Sequence, residues 1–316
     1  MVGFHPLEDT TILCTKSSPT TVTYFRTRIS YIFETPPEVE TSNEVVFCMA
    51  NFLRKAFGFD KAIIAMVHFP PLPGSPLYDD ETGIQSIRDW VQRDLDNLQA
   101  GGVDAVMFCN EGDRPYVLDA PPATIATMAY VIGQLKDRIR VPFGVDILWD
   151  PKSAIALAKA VGAEFVREIF TGAYESDMGI WNPRCGEIWR YKRLVEANDL
   201  RLFYNITGEL AGSLSNRSLE NAAKSAVLSS LADALCISGI TAGVPPDLAN
   251  LELVKRVVPD TPVFANTGVN IENLASILSI ADGVIIGSGL KVDGNTWNPV
   301  DKDRVKEFMT QVNKLR

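Results

Sequence analysis

Past residue 57 the chain alternates, eight times over, between a short apolar or β-branched run and a stretch with helical spacing. The runs lie at 61–67 (KAIIAMV), 104–109 (DAVMFC), 142–148 (PFGVDIL), 164–170 (EFVREIF), 201–206 (RLFYNI), 233–238 (DALCIS), 261–266 (TPVFAN) and 282–287 (DGVIIG). Helical spacing occupies 84–100, 122–138, 151–161, 185–197, 218–230, 247–258, 271–280 and 301–315. Strands apolar on both faces and separated by amphipathic helices are the mark of parallel βαβ units. Eight such units predict an α/β chain folded as a (β/α)8 TIM barrel, here with an N-terminal extension. A doubly wound open sheet would carry fewer units and a glycine fingerprint after its first strand, and no G-x-G-x-x-G follows Val67.

Residues 1–44 differ in character from the 45–316 barrel domain: they are rich in Thr and Ser, contain Pro36-Pro37 and show no sustained period. They read as a poorly ordered extension, with a short helix from Val45 to Phe57 leading into the barrel. Neither a basic start nor a compact apolar stretch suggests a secretory leader. The balance of 30 basic and 39 acidic residues, a net charge of −9, argues against nucleic acid as partner, since that binding rests on clustered Lys and Arg. No apolar run is long enough for membrane insertion. Five scattered cysteines (Cys14, Cys48, Cys109, Cys185, Cys236) fit neither a disulfide framework nor a zinc ribbon and suit a reducing cytoplasm. A homo-oligomer is compatible with all of this and demanded by none of it.

In such barrels the chemistry sits where strands end and βα loops begin. Strand 1 ends in His68, a candidate proton carrier or a structural hydrogen-bonding group, before the stiff FPPLPGSP loop. Strand 2 runs into Asn110-Glu111 and GDRPY; the run suits a site, although loop solvation accounts for it as well. Asp146 lies within strand 3, where a buried carboxylate is costly unless paired, whereas Asp150 before Pro151 reads as a helix cap. Arg167 and Glu168 stand side by side in strand 4, so alternation predicts that they face opposite ways. A structural ion pair with Asp146 and an acid/base couple of two carboxylates both fit. The following TGAYESDMGIW segment reads as a lid or aromatic platform. Asn205 after strand 5 and Ser238 after strand 6 suit hydrogen bonds to a hydroxylated ligand or ordinary turns.

The ends of strands 7 and 8 read FANTGVN and IIGSGLKVDG. Asn266, Thr267, Gly268, Gly287 and Ser288 there read as a phosphate-type turn pair of the kind many barrels use, although glycine-rich turns are also common without phosphates; a small phosphorylated metabolite is the partner they suggest. No lysine ends a strand, Lys291 lying past the last turn, which disfavours an imine-forming aldolase. No cofactor motif occurs. A divalent cation such as Mg²⁺ on Glu111, Asp146 or Glu168 has room but no spacing that demands it.

With these residues in view, the chain from about Phe52 onward resembles the BtpA/SgcQ family. The carriers are AMVHFPPLPGSP (65–76), GGVDAVMFCNEGDRPY (101–116), VPFGVDILWDP (141–151), FVREIFTGAYESDMGIW (165–181), ALCISGITAG (234–243) and FANTGV (264–269). The resemblance is closer to the SgcQ-like branch; FCNEGDRPY departs from the ENFGDAPF-like stretch of photosynthetic BtpA proteins. It implies a barrel whose pocket is built from His68, Asn110, Glu111, Asp146, Arg167, Glu168, Asn205 and Asn266. SgcQ-like members are associated by name with sugar utilisation and BtpA members with photosystem I biogenesis. The expectation is therefore an enzyme of sugar or phosphosugar metabolism with His68, Glu111, Asp146 and Glu168 as proton-transfer groups. The alternative is a non-catalytic assembly factor.

Overall fold

A computed structural model of the protein describes residues 53–316; the extension read over 1–44, and the helix read from Val45 as far as 52, lie outside the described residues. Eight parallel strands close into a barrel: β1 Ala62–His68, β2 Ala105–Cys109, β3 Phe143–Asp146, β4 Phe165–Glu168, β5 Arg201–Asn205, β6 Ala234–Ser238, β7 Val263–Asn266 and β8 Gly283–Ile286. Each pairs with its neighbours in sequence, and β1 closes the ring against β8 through Ala62↔Gly283 to Ala65↔Ile286. The helices α1 Gly83–Gly101, α2 Pro122–Leu135, α3 Pro151–Val161, α4 Cys185–Leu194, α5 Leu219–Leu228, α6 Leu248–Val257, α7 Leu274–Ile280 and α8 Lys302–Leu315 follow the strands one by one. The TIM barrel predicted from the alternation is the fold observed.

Local chemistry starts and stops these elements. Asp150 caps α3, accepting from Ser153 N at 3.0 Å with Pro151 in the first turn, as the sequence indicated. Ser218, Asp247 and Asp301 cap α5, α6 and α8 in the same way. Each such cap satisfies an orphan N–H and contributes about 1 kcal/mol. The strand read over 142–148 ends instead at Asp146. Beyond it the Leu148 N–H goes to Asn110 Oδ1 (2.9 Å) and the Trp149 N–H to Glu168 Oε1 (2.7 Å), so side chains displace the ladder.

Period-two alternation divides the strand residues between two apolar cores. Ile64, Met66, Met107, Phe165, Phe203, Cys236, Phe264 and Ile285 fill the barrel, while Val106, Val145, Val166, Leu202 and Ile237 meet the helices. The three phenylalanines form a stack, Phe165 to Phe203 at 5.1 Å and Phe203 to Phe264 at 5.2 Å. Gly144 and Gly283 leave it room: a Cβ on Gly144 would sit 2.3 Å from the Phe165 ring, and one on Gly283 2.4 Å from Phe264. The packed barrel thus forms a floor beneath a polar upper end.

Over that end the chain adds an antiparallel sheet of three short strands that the sequence pattern did not resolve. Residues 174–176 pair with 179–181 as a hairpin and with 211–213 from the loop after β5. The segment expected as a lid or aromatic platform is therefore stitched to a second loop. Its rings pack together, Trp181 lying 5.2 Å from Trp149 and 5.5 Å from Tyr174.

Candidate functional site

The inward alternation that fills the barrel also decides which polar side chains reach its mouth. Counting upward by twos from the core residues gives His68, Cys109, Asp146, Arg167, Asn205, Ser238 and Asn266, and all are buried. Most are sequence-predicted site residues, gathered at the carboxyl ends of seven adjacent strands.

Asp146 and Arg167 meet at the base of the mouth, Nη2 3.0 Å from Oδ2, with the carboxylate fully enclosed. Neither Asp146 oxygen has an aligned hydrogen bond. Burial pushes the Asp146 carboxyl up, and the Arg167 charge pulls it back. Arg167 and Glu168 were expected to face apart, yet both line the same cleft. Arg167 points into the barrel by alternation. Glu168 is the last residue of β4, so its side chain turns over the rim, where its oxygens accept from Trp149 N and Ile169 N, both at 2.7 Å. Burial, and then the neighbouring Asp146, hold the Glu168 carboxyl well above the usual range.

Glu111 stands just beyond β2. Its Oε1 accepts from the Tyr116 hydroxyl at 3.2 Å, and its Oε2 lies 4.0 Å from His68 Nε2. Burial, then the charge of Glu209, pushes the Glu111 carboxyl up to about 7. His68 goes the other way: burial first, and the Lys291 charge second, hold it well below the ordinary imidazole value, so it is neutral at pH 7.

On the opposite side, Ser238 Oγ accepts from Asn205 Nδ2 (2.8 Å) and Asn266 Nδ2 (2.7 Å) and donates to Glu209 Oε1 (3.0 Å). Asn266 also reaches that oxygen at 3.0 Å. Glu209 is raised by burial and drawn down by Arg167. Sequence reasoning missed it because it lies beyond the end of β5 in ITGELAG. The acidic residue in an otherwise small, neutral loop was the one signal available.

The remaining predicted residues also make contacts within the protein. Asn110 holds the loop after β3 through Leu148 N. The Thr267 hydroxyl is spent on Val244 O (2.7 Å) and Gly239 N (2.9 Å), and the Ser288 hydroxyl on Thr296 Oγ1 (2.6 Å). Gly268 has a φ of +57°, and a Cβ there would come 2.1 Å from Pro245 N, so this glycine serves the approach of another loop. A Cβ on Gly287 would come 3.0 Å from the His68 ring. Lys291, past the end of β8, is buried, its Nζ donating to Asn298 O at 3.1 Å and lying 3.8 Å from Asp94 Oδ2.

Together these groups enclose a mouth of two lobes. One, open at its rim, is bounded by Trp149, Glu168, Asn205 and Leu210. The other is bounded by His68, Asn266, Thr267, Gly268, Gly287 and Ser288. Glu111, Arg167, Glu209 and Ala242 line both. Among the described residues no three His, Cys, Asp or Glu side chains are arranged to hold a metal ion. No helix among them is long and apolar enough to cross a membrane.

Comparison with known proteins is consistent across the barrel. A profile described as the BtpA family matches residues 59–314. SgcQ of Escherichia coli (strain K12) is 48% identical over 266 residues, spanning 84% of this chain and 99% of its own. The photosystem I biogenesis protein BtpA of Synechocystis is 30% identical over 260 residues, 81% of this chain and 90% of its own. Among solved structures, phosphoribosyl anthranilate isomerase from Thermus thermophilus superposes with a TM-score of 0.50 at 13% identity, over 81% of this chain and 100% of that one. At that identity the likeness is one of fold.

Proposed function

The chain belongs to the BtpA family, and from that premise we propose that it is an enzyme acting on a phosphorylated sugar or related small phosphometabolite. Its chemistry is carboxylate acid/base transfer of the isomerase, epimerase or hydrolase type. One observation carries the reading: Glu111, poised at about 7, borders both lobes of an enclosed mouth. A carboxyl so placed is divided between its two forms at neutral pH and can give or take a proton without a large driving-force penalty.

The roles follow from position. Glu111 exchanges the proton, and neutral His68 beside it relays or orients. Arg167 stabilises negative charge that develops on a substrate oxygen, its own charge held in place by Asp146. Asp146 and Glu168, two buried carboxyls in one field, share the remaining proton. Asn205, Ser238, Asn266 and Glu209 present a connected set of donors and acceptors suited to hydroxyl groups. The phosphate end belongs at the 267–268 and 287–288 turns. Since the Thr267 and Ser288 hydroxyls are engaged elsewhere, the contacts there come from backbone N–H groups.

A second reading, an assembly factor that binds another protein, has its support in Ile180, Leu210 and Ile240, which leave large apolar side chains exposed at the upper end. A cleft of enclosed, displaced carboxyls favours the enzyme. Thermal unfolding against a panel of sugar phosphates tests it: a ligand that binds only the folded form raises Tm. At least one member raises Tm, and Ser288→Glu abolishes the rise. A panel that shifts nothing, or a rise that survives the substitution, overturns the phosphate assignment.

A further inference from the structure

The two lobes meet on shared ionisable groups but differ in character beyond them. The second lobe has no aromatic wall: above Met66 and Ile285 it is lined by His68, Asn266 and the glycine turns. The first is walled by Tyr116, Leu148, Trp149, Ile169 and Leu210, and only its edge toward Glu168 and Asn205 is polar. A sugar phosphate carries hydroxyls all round and matches the second lobe; it leaves the apolar wall of the first unanswered.

Trp149 stands in that wall with an unusual backbone. Its φ of +71° is rare for a bulky residue, a strained conformation that persists only where the surroundings enforce it. The enforcement is visible. Its N–H is bound to Glu168 Oε1 at 2.7 Å, and its ring is held edge-to-face by Trp181. The indole Nε1 finds no partner among the described residues although it is buried. Strain and an unspent donor fall on the same residue, at the rim of the lobe.

Resting on the phosphosugar reading above, the geometry points to a ligand of two parts: a phosphorylated sugar in the polar lobe, joined to a flat heteroaromatic ring in the aromatic lobe. The junction lies beside Glu111, Arg167 and Glu209, the groups that face both. A ring with polar edges fits because its faces meet Trp149 and Leu210 while its edge meets Glu168 and Asn205.

Calorimetric titration of the full chain distinguishes this from the broader reading. The probes are ribose 5-phosphate, the four common ribonucleosides and their 5′-monophosphates. At least one monophosphate binds about 30-fold more tightly than ribose 5-phosphate, the gain of stacking one ring. Trp149→Ala removes that gain and leaves ribose 5-phosphate affinity within about threefold, the stacking contribution alone being lost. Should that variant fail to fold, Leu210→Asn, at an exposed position bordering only the aromatic lobe, takes away the apolar face opposite Trp149 and removes most of the gain instead. Monophosphates no tighter than ribose 5-phosphate, or a gain that survives the substitution, overturn the two-part ligand and leave the phosphosugar reading standing. Failure of every phosphate-bearing probe to bind overturns both.

Discussion

Arg167 Nη2 stands 3.0 Å from Asp146 Oδ2 across adjacent strands, both side chains enclosed at the base of the mouth. A pair like this is costly to break from one side, because the survivor keeps a buried charge without its counterion. Arg167→Met therefore lowers unfolding free energy by about 3–5 kcal/mol in urea titrations. Adding Asp146→Leu restores most of it, while Asp146→Asn alone, which leaves the Arg167 charge without this partner, also lowers stability but still folds, and abolishes turnover. A loss below about 1 kcal/mol in the single arginine variant, the scale of an exposed pair, would mean that the pair is hydrated.

Glu111 gives the pH dependence a sign. Its carboxyl rises from 4.5 to about 7 on folding, so the folded chain binds the proton more tightly than the unfolded one. The stability this confers is complete below pH 4.5 and lost as pH climbs through 7, about 3 kcal/mol in all. Glu111→Gln keeps the neutral form at every pH, so the variant gains on the parent between pH 5 and 8. The limb near pH 7 in the rate profile disappears with it. Parallel stability curves for the two proteins across that window would contradict the assignment.

His68 contributes the opposite slope. Its folded value lies well below 6.5, so its share of stability is present above that pH and lost as pH falls toward the folded value. With His5 the only other histidine, ¹⁵N spectra of the imidazoles read this directly. His68 stays neutral from pH 8 down to 6 while a hydrated histidine titrates. A His68 resonance that moves with a midpoint near 6.5 refutes it.

Two glycines with left-handed backbone separate packing from conformation. Gly74 has φ +97° and open space for 4 Å around the point where a Cβ would stand, so Gly74→Ala costs about 1 kcal/mol, the conformational penalty alone. Gly268→Ala adds collision with the backbone at Val244 and Pro245 and costs more than about 3 kcal/mol in thermal or urea unfolding. Equal costs would mean that the segment carrying Val244 and Pro245 gives way to the added methyl.

The barrel was legible because its signal is repeated eight times and each strand is apolar on both faces. His68, Asp146, Arg167, Asn205, Ser238 and Asn266 were legible as polar residues at or near the ends of the apolar runs. What escaped was whatever depends on elements distant in sequence. Glu209 belongs to the site because β5, β6 and β7 lie side by side and bring Asn205, Ser238 and Asn266 onto one carboxylate oxygen. No local pattern in ITGELAG reports that convergence. The strand end at Asp146 was misplaced for the same reason, since Asn110 and Glu168 take the N–H groups from other loops. Thr267 and Ser288 have the right chemistry for an anion, yet their hydroxyls are claimed by neighbouring loops.

The small sheet above the mouth joins residues 174–176, from the segment after β4, to 211–213, from the segment after β5. Backbone hydrogen bonds make these two coverings a single plate, and Trp181 and Tyr174 ride on it. An insertion on one side would tilt the other, so ligand preference in this lineage would drift through matched changes at both margins and resist the grafting of either alone.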